Sequence, residues 1–263
     1  MITVRDIEQF LYDWAPPETA ESWDNVGLLV GRPDRPVRRV LVALDVTPAV
    51  AAEAAELGAD LIVAHHPVMN VRWHEQELQT LREDTRLGGL LTYLVRHDLS
   101  AICMHTNLDA AEGGVNDCLA QKLGLSGTIP LNEQKIGRIG TLSCEIPLEQ
   151  FLHDVVKSLG CRGLRYRSGG RPVRRVAVGG GACGEYIPQA LAQGCDTFVT
   201  SDLRYNDFLD TQGLNLIDAG HFPTEDVVCA EEVRRLQKAF PDIRVSKSAV
   251  HHDAVQYYMT EGE

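Results

Sequence analysis

His65-His66-Pro67 stands where the apolar run Ala59-Asp60-Leu61-Ile62-Val63-Ala64 ends. Neighbours on a strand point to opposite faces, but where a strand gives way to a loop both imidazoles can turn into one crevice. Open α/β sheets take their ligands at the carboxyl ends of strands, so the placement suits metal binding. A second signal is a spacing that occurs twice: Asp109 follows His105 by four residues, and Glu225 follows His221 by four. Imidazole with carboxylate suits Zn, Fe or Mn and does not suit Ca, which takes all-oxygen cages. Each residue also has an ordinary structural role open to it. Asp109 can cap a helix, and a carboxylate such as Glu225 in a first helical turn is favoured by the helix dipole. The duplication of the pair is what favours the metal reading.

The elements that must position these residues form an internal repeat. Pro36 to His66 aligns without a gap on Pro172 to Asp202, an offset of 136 residues. Arg38-Arg39 falls on Arg174-Arg175, Gly58 on Gly194, Asp60 on Asp196 and Val63 on Val199. Further on, Leu99 to Asp109 aligns on Asn215 to Glu225, which superposes the two His-carboxylate pairs. Ser201-Asp202 then occupies the place of His65-His66, so the second copy lacks that half of a site. The expectation is an α/β fold of two similar mixed-sheet lobes, residues 1–126 and 127–263, with the segment from about 220 contributing to a shared site.

Thr3 and Asp6 have capping-box spacing ahead of Ile7, Phe10, Leu11 and Trp14, and Pro16-Pro17 ends that helix. Strands are expected near 37–45, 59–65 and 99–105, with a helix near 114–124 closed by Gly124. A second series runs from Ile139: a helix near 147–159, strands near 173–179, 196–201 and 214–219, and a helix from Pro223 to Lys238. Two short strands, 243–248 and 253–258, should close the chain. The lobe boundary is expected at Leu125–Pro130, where Ser, Gly, Thr and Pro gather.

The formal charge of −12 argues against tight non-specific binding to nucleic acid, which needs a basic face. Two bound divalent cations would offset part of that charge locally and leave an anionic or nucleotide-like ligand admissible. Seven scattered cysteines without a CxxC pair read as reduced thiols. Arg5, Asp6 and Glu8 lie inside the first amphipathic segment, unlike a signal peptide, and no membrane span is expected, so the reading is cytoplasmic. Gly179-Gly180-Gly181 follows a strand and offers amides that could cradle phosphate, although a tight turn fits it better. Six arginines between Arg162 and Arg175 could meet anions, with a solvated face or subunit contact the commoner use.

Taken together, these segments resemble the dinuclear-metal-centre proteins called GTP cyclohydrolase type 2 homologues, or NIF-three-like proteins. The matching stretches, in order along nearly the whole chain, are Trp23-Asp24-Asn25-Val26-Gly27-Leu28, His65-His66-Pro67 and His105-Thr106-Asn107-Leu108-Asp109, then Gly179-Gly180-Gly181, Ser201-Asp202 and Asp218 to Glu225. The resemblance implies two related lobes with a two-metal site between them and a toroidal homohexamer built from dimers. It carries the metal-ligand role onto His65, His66, Asp109, His221 and Glu225, with His105 a neighbour or further ligand. Asp24 and Asn25 are further candidates, as outlying ligands or as groups that orient water or substrate, and a purely structural turn stays open for them. This chain departs from the pattern at Asn206, where the family usually has histidine, and it has no room for the extra domain that longer members insert. Two functions follow: a metal-dependent hydrolase of a nucleotide-like substrate, by GTP ring opening or phosphoester cleavage, or a non-catalytic metal-binding or regulatory interaction protein.

Overall fold

The computed structural model describes residues 1–69 and 80–258. The chain begins with α1 (Val4–Trp14), β1 (Gly27–Val30), β2 (Arg39–Ala43), α2 (Pro48–Glu56), β3 (Leu61–Ala64), α3 (Arg86–Arg96), β4 (Ser100–Cys103) and α4 (Thr106–Ala110). It continues through α5 (Val115–Lys122), β5 (Ser126–Pro130), β6 (Arg138–Ile146), α6 (Leu148–Leu159), β7 (Arg165–Arg167), β8 (Val173–Val178), α7 (Ile187–Ala192), β9 (Thr197–Thr200), α8 (Tyr205–Asp210), β10 (Asn215–Asp218) and α9 (His221–Glu225). It ends with α10 (Val227–Ala239) and β11 (Arg244–Lys247).

Two compact units result. The first joins Met1–Glu112 to Val228–His251, and the second joins Gly113–Val227 to the chain from His252. This division differs from the expected boundary at both ends. Leu125–Pro130 is no linker: β5 lies there and pairs antiparallel with β6. The C-terminal stretch returns to the first unit because β11 pairs parallel with β2. Among the described residues 252–258 no strand forms, so the chain closes with β11 and without the second short strand expected at 253–258.

In the first unit the strand order is β1-β4-β3-β2-β11, with β1 antiparallel at one edge and the others parallel. In the second it is β5-β6-β8-β9-β10-β7, with β8-β9-β10 parallel and both flanks antiparallel. The repeat holds at the level of hydrogen bonds. Val40 lies opposite Leu61 in the first sheet, and Val176 lies opposite Thr197 in the second, the same register at the offset of 136. Asp60 accepts from the amides of Arg38 and Arg39 at 2.8 and 3.2 Å, and Asp196 from those of Arg174 and Arg175 at 3.0 and 2.7 Å. Each carboxylate satisfies two strand-entry amides that would otherwise lack partners.

The extension of the repeat to the His-carboxylate pairs fails by one residue. In the strand register Ser100 corresponds to Asn215, since each lies opposite the first residue of the preceding parallel strand. Met104 therefore corresponds to Ala219, whose amides donate to the matching carbonyls of Ala64 and Thr200. His105 is the cap residue before α4, whereas His221 is the first residue of α9, with Gly220 at the cap. The shared spacing is real, but the two pairs sit one step apart on their helices. The helix expected from Pro223 also starts earlier, at His221, and gives way to α10 at Asp226.

Local sequence explains the main elements. The Thr3–Asp6 capping box starts α1, and Ala15 closes it ahead of Pro16, which disfavours helical geometry in the residue before it. Thr47 caps α2 through Val50, with Pro48 in the first turn where no amide is needed. α5 is followed by Gly124 at φ +71, the left-handed position expected of it. Leu41, Ala43, Ile62 and Ala64 share one core with Val50 and Ala54 of α2 and Leu91 and Leu94 of α3. In the second unit Val176, Val178, Val199 and Ile217 pack on Phe151 and Val155 of α6 and Leu119 of α5, while Ala177, Phe198 and Leu216 pack on Ile187 and Ala190 of α7. Alternate strand residues thus feed two cores, and burying each large side chain contributes about 1.5–3 kcal/mol. No helix among the described residues is long and apolar enough to cross a membrane.

Candidate metal centre

At the end of β3 the amides of His65 and His66 both donate to the Leu44 carbonyl, at 3.2 and 2.9 Å. Two successive amides on one acceptor take the chain out of the ladder, which lets adjacent imidazoles approach instead of diverging. Their ring centroids are 5.1 Å apart. His105, two residues past the end of β4, lies 5.1 Å from His65 and 5.6 Å from His66 by the same measure. One ligand atom from each of the three lies within 4.8 Å of the other two, close enough to share an ion. Asp109 on α4 brings Oδ1 to 3.7 Å from His65 Nε2.

Each imidazole is oriented through its Nδ1. His65 Nδ1 donates to the Met104 carbonyl at 2.8 Å, His66 Nδ1 to Asp45 at 2.8 Å, and His105 Nδ1 to Asp24 at 2.9 Å. These partners only accept, so each Nδ1 carries a proton and Nε2 is the ring nitrogen left to meet a ligand. A histidine anchored this way is the usual form of a metal ligand, because the second interaction fixes tautomer and ring angle.

The anchoring carboxylates are themselves held as anions. Burial raises the Asp24 carboxyl, but hydrogen bonds from His105 and Thr106 outweigh it and bring it down to about 2. Asp45 lies further below the ordinary range: burial raises it, and the bonds from His251 and His66 overcome that. Asp24 therefore supports His105. Asn25 donates its side-chain amide to the Met69 carbonyl at 2.7 Å and pins the chain beyond Pro67.

In the second unit His221 opens α9 and reaches Glu225 one turn on, Nε2 to Oε2 at 2.9 Å. Its Nδ1 donates to Asp202 at 2.6 Å. Burial lowers the His221 pKa, yet two carboxylates on one ring outweigh it and push the imidazole up to about 11. Carboxylates at both ring nitrogens favour the protonated imidazole. Asp202, at the repeat position of His66, has become the anchor for a histidine.

The glycine loop is a turn and not an anion cradle. The Gly180 amide donates to Asn116 Oδ1 at 2.9 Å and the Gly181 amide to Thr224 Oγ1 at 3.1 Å. Gly181 has φ +65, and a Cβ there would lie 2.1 Å from Glu225 Oε1. Only glycine lets Glu225 lie against this backbone. Four of the six arginines bind the fold: Arg165 binds Asp218 and the Leu203 carbonyl, and Arg167, Arg171 and Arg175 bind the carbonyls of Leu209, Gly213 and Gln193. Asn206 is exposed in the first turn of α8.

Three residues of this arrangement escaped the sequence reading: Asp45, Asp202 as an anchor, and His251. Asp45 had a signal, since it stands two residues past β2 as His66 stands two residues past β3. Asp202 was visible only as an odd replacement, and His251 lies 206 residues from its partner.

Two sheets from one repeat, with a three-histidine cluster in one unit and a His-Glu pair in the other, define a mixed α/β protein with groups able to bind metal ions. The chain belongs to the Duf34/NIF3 (NGG1p interacting factor 3) family, whose model it matches over residues 2–254. It is 33% identical over 258 residues to a GTP cyclohydrolase 1 type 2 homolog of Clostridium perfringens, covering 94% of this chain and 97% of that protein. A Streptomyces coelicolor protein of the same description is 35% identical over 224 residues, covering 80% and 77%. Among solved structures, a Bacillus cereus protein related to NIF3 superposes with a TM-score of 0.90 at 25% identity, over 98% of this chain and 99% of that one.

Proposed function

We propose that this chain holds two divalent ions, Zn, Fe or Mn, on His65, His66, Asp109, His221 and Glu225, with His105 as a further ligand or close neighbour, and that it hydrolyses a nucleotide-like substrate. The observation that supports this most is the common anchoring of Nδ1 on His65, His66 and His105, three imidazoles that each offer a ligand atom within 4.8 Å of the others. Ions held by such nitrogen and oxygen donors supply Lewis acidity and bring the pKa of bound water toward neutrality.

The chain's own residues have separable tasks in this reading. Asp24, Asp45 and Asp202 fix ring angles and tautomers. Asp109 and Glu225 bring negative charge, which favours divalent cations over monovalent ones. His221 gives up the Nε2 proton it shares with Glu225 when that nitrogen is needed as a donor. Ring opening of GTP is the first substrate reaction to test, in keeping with the name borne by the relatives, and phosphoester cleavage is the second. The family's description as an interacting factor supports another reading, a metal-loaded regulatory module for a protein partner. Assembly as a toroidal homohexamer and a cytoplasmic location belong to the proposal in either case.

The deciding experiment is turnover of GTP and of phosphoester substrates by anaerobically metal-loaded protein. Activity that vanishes on chelation, returns with metal and is lost in Asp109→Asn supports the hydrolase. Full metal loading without turnover moves the assignment to the module.

A further inference from the structure

His251 closes the segment that returns to the first unit. The Ser248 amide continues the β11–β2 ladder by donating to the Val42 carbonyl at 2.8 Å. The chain then turns: the Ala249 amide donates to Glu53 Oε1 at 2.8 Å, Ser248 Oγ donates to the other oxygen of Glu53, and the His251 amide donates to Ser248 Oγ at 3.2 Å. This fold-back delivers the His251 ring, with 8% of its side chain exposed, to the carboxyl end of β2. There His251 Nε2 lies 2.9 Å from Asp45 Oδ2 and 3.1 Å from the Asp45 amide nitrogen, so the ring is held against both the carboxylate and the backbone of Asp45, while Asp45 Oδ1 accepts from His66 Nδ1 at 2.8 Å. One carboxylate is thus shared by two imidazoles, one oxygen each.

We infer that His251 is a positioning residue for the metal centre, fixing the Asp45 carboxylate so that it holds His66 in its Nδ1–H tautomer with Nε2 presented to the ion. The inference rests on the proposed role of His66 as a ligand. Two geometric facts carry it. Asp45 follows a strand end and is 39% exposed in its side chain, so its rotamer is not set by packing alone. Its two oxygens are engaged from different parts of the chain, and among the described residues the His251 contact is the one that holds Oδ2 against rotation of the carboxylate away from His66. Outer partners of metal-bound histidines typically change metal affinity by about 10–100-fold, so a residue acting through such a partner should act at the lower end.

The test uses the full chain, metal-free and then titrated with Zn²⁺ against a chromophoric chelator. In metal-free protein, ¹⁵N shifts of the imidazole nitrogens report the His66 tautomer directly, with His66→Ala supplying the assignment. His251→Phe should leave the fold intact, convert His66 to a mixture of tautomers and weaken Zn²⁺ binding about tenfold. His251→Gln, whose side-chain amide can still donate to Asp45, should restore both readouts toward the starting protein. If His251→Phe keeps the Nδ1–H tautomer, the inference is overturned whether or not the metal reading stands. If the tautomer is lost while Zn²⁺ affinity is unchanged, His251 stands as the residue that orients His66 and the assignment of His66 as a ligand falls. Should His251→Phe fail to fold, His251→Gln with a mixed tautomer would equally overturn the inference.

Discussion

The residues that would hold a metal differ in how their imidazoles are held. His65, His66 and His105 are each anchored through Nδ1, whereas His221 meets a carboxylate at both nitrogens. Its pKa is raised to about 11, so its ion pairing is fully present below the ordinary value of 6.5 and is lost as pH rises through about 11. Metal binding at this ring must therefore release a proton at pH 7, and affinity should rise with pH. Calorimetry in buffers of different ionisation enthalpy should show that release, and His221→Gln should remove it; an unchanged proton count would exclude His221 as a donor. Asp24 has the opposite sign. Its carboxyl is lowered to about 2, so the stability it supplies is present above its ordinary value of 3.8 and is lost as pH falls through about 2. Gly181→Ala should destabilise by more than about 1 kcal/mol in urea titrations, because φ is positive there. The same variant should displace Glu225 and lower metal content. The donors were legible from residue type at strand ends. Their anchors were less so, because Asp45 to His251 and Asp202 to His221 are contacts that no local spacing encodes.

At the scale of elements, the repeat was legible because its pattern includes a polar residue with one task. Asp60 and Asp196 each accept two amides at the entry of a parallel strand, and the apolar runs around them fix register. Replacing either by Ala strands two amides and should cost about 1–3 kcal/mol in chemical denaturation, with metal content at saturation unchanged. A loss of metal without a loss of stability would contradict that division of roles. Elements that the sequence hid are short or exposed. β5 is solvent-exposed throughout and reads as a Ser-Gly-Thr-Pro linker, and β7 spans only Arg165–Arg167. Both lie at edges, where pairing with one neighbour makes the strand and hydrophobic periodicity does not. The one-residue slip between the His105 and His221 helices was invisible for a similar reason: spacing within each motif is kept while the join to the strand changes.

At the scale of the whole molecule, a net charge of −12 and carboxylates concentrated around the donors favour cation binding at the site over capture of polyanions. Sedimentation at micromolar concentration should show a closed oligomer, and a stable monomer would contradict the ring. The claim on which the rest depends is the dinuclear centre, and elemental analysis of the purified, metal-loaded protein tests it most directly. The unaltered protein should carry two divalent ions per chain, with a lower content in both His66→Ala and Glu225→Ala. Unchanged stoichiometry in both variants would contradict that claim.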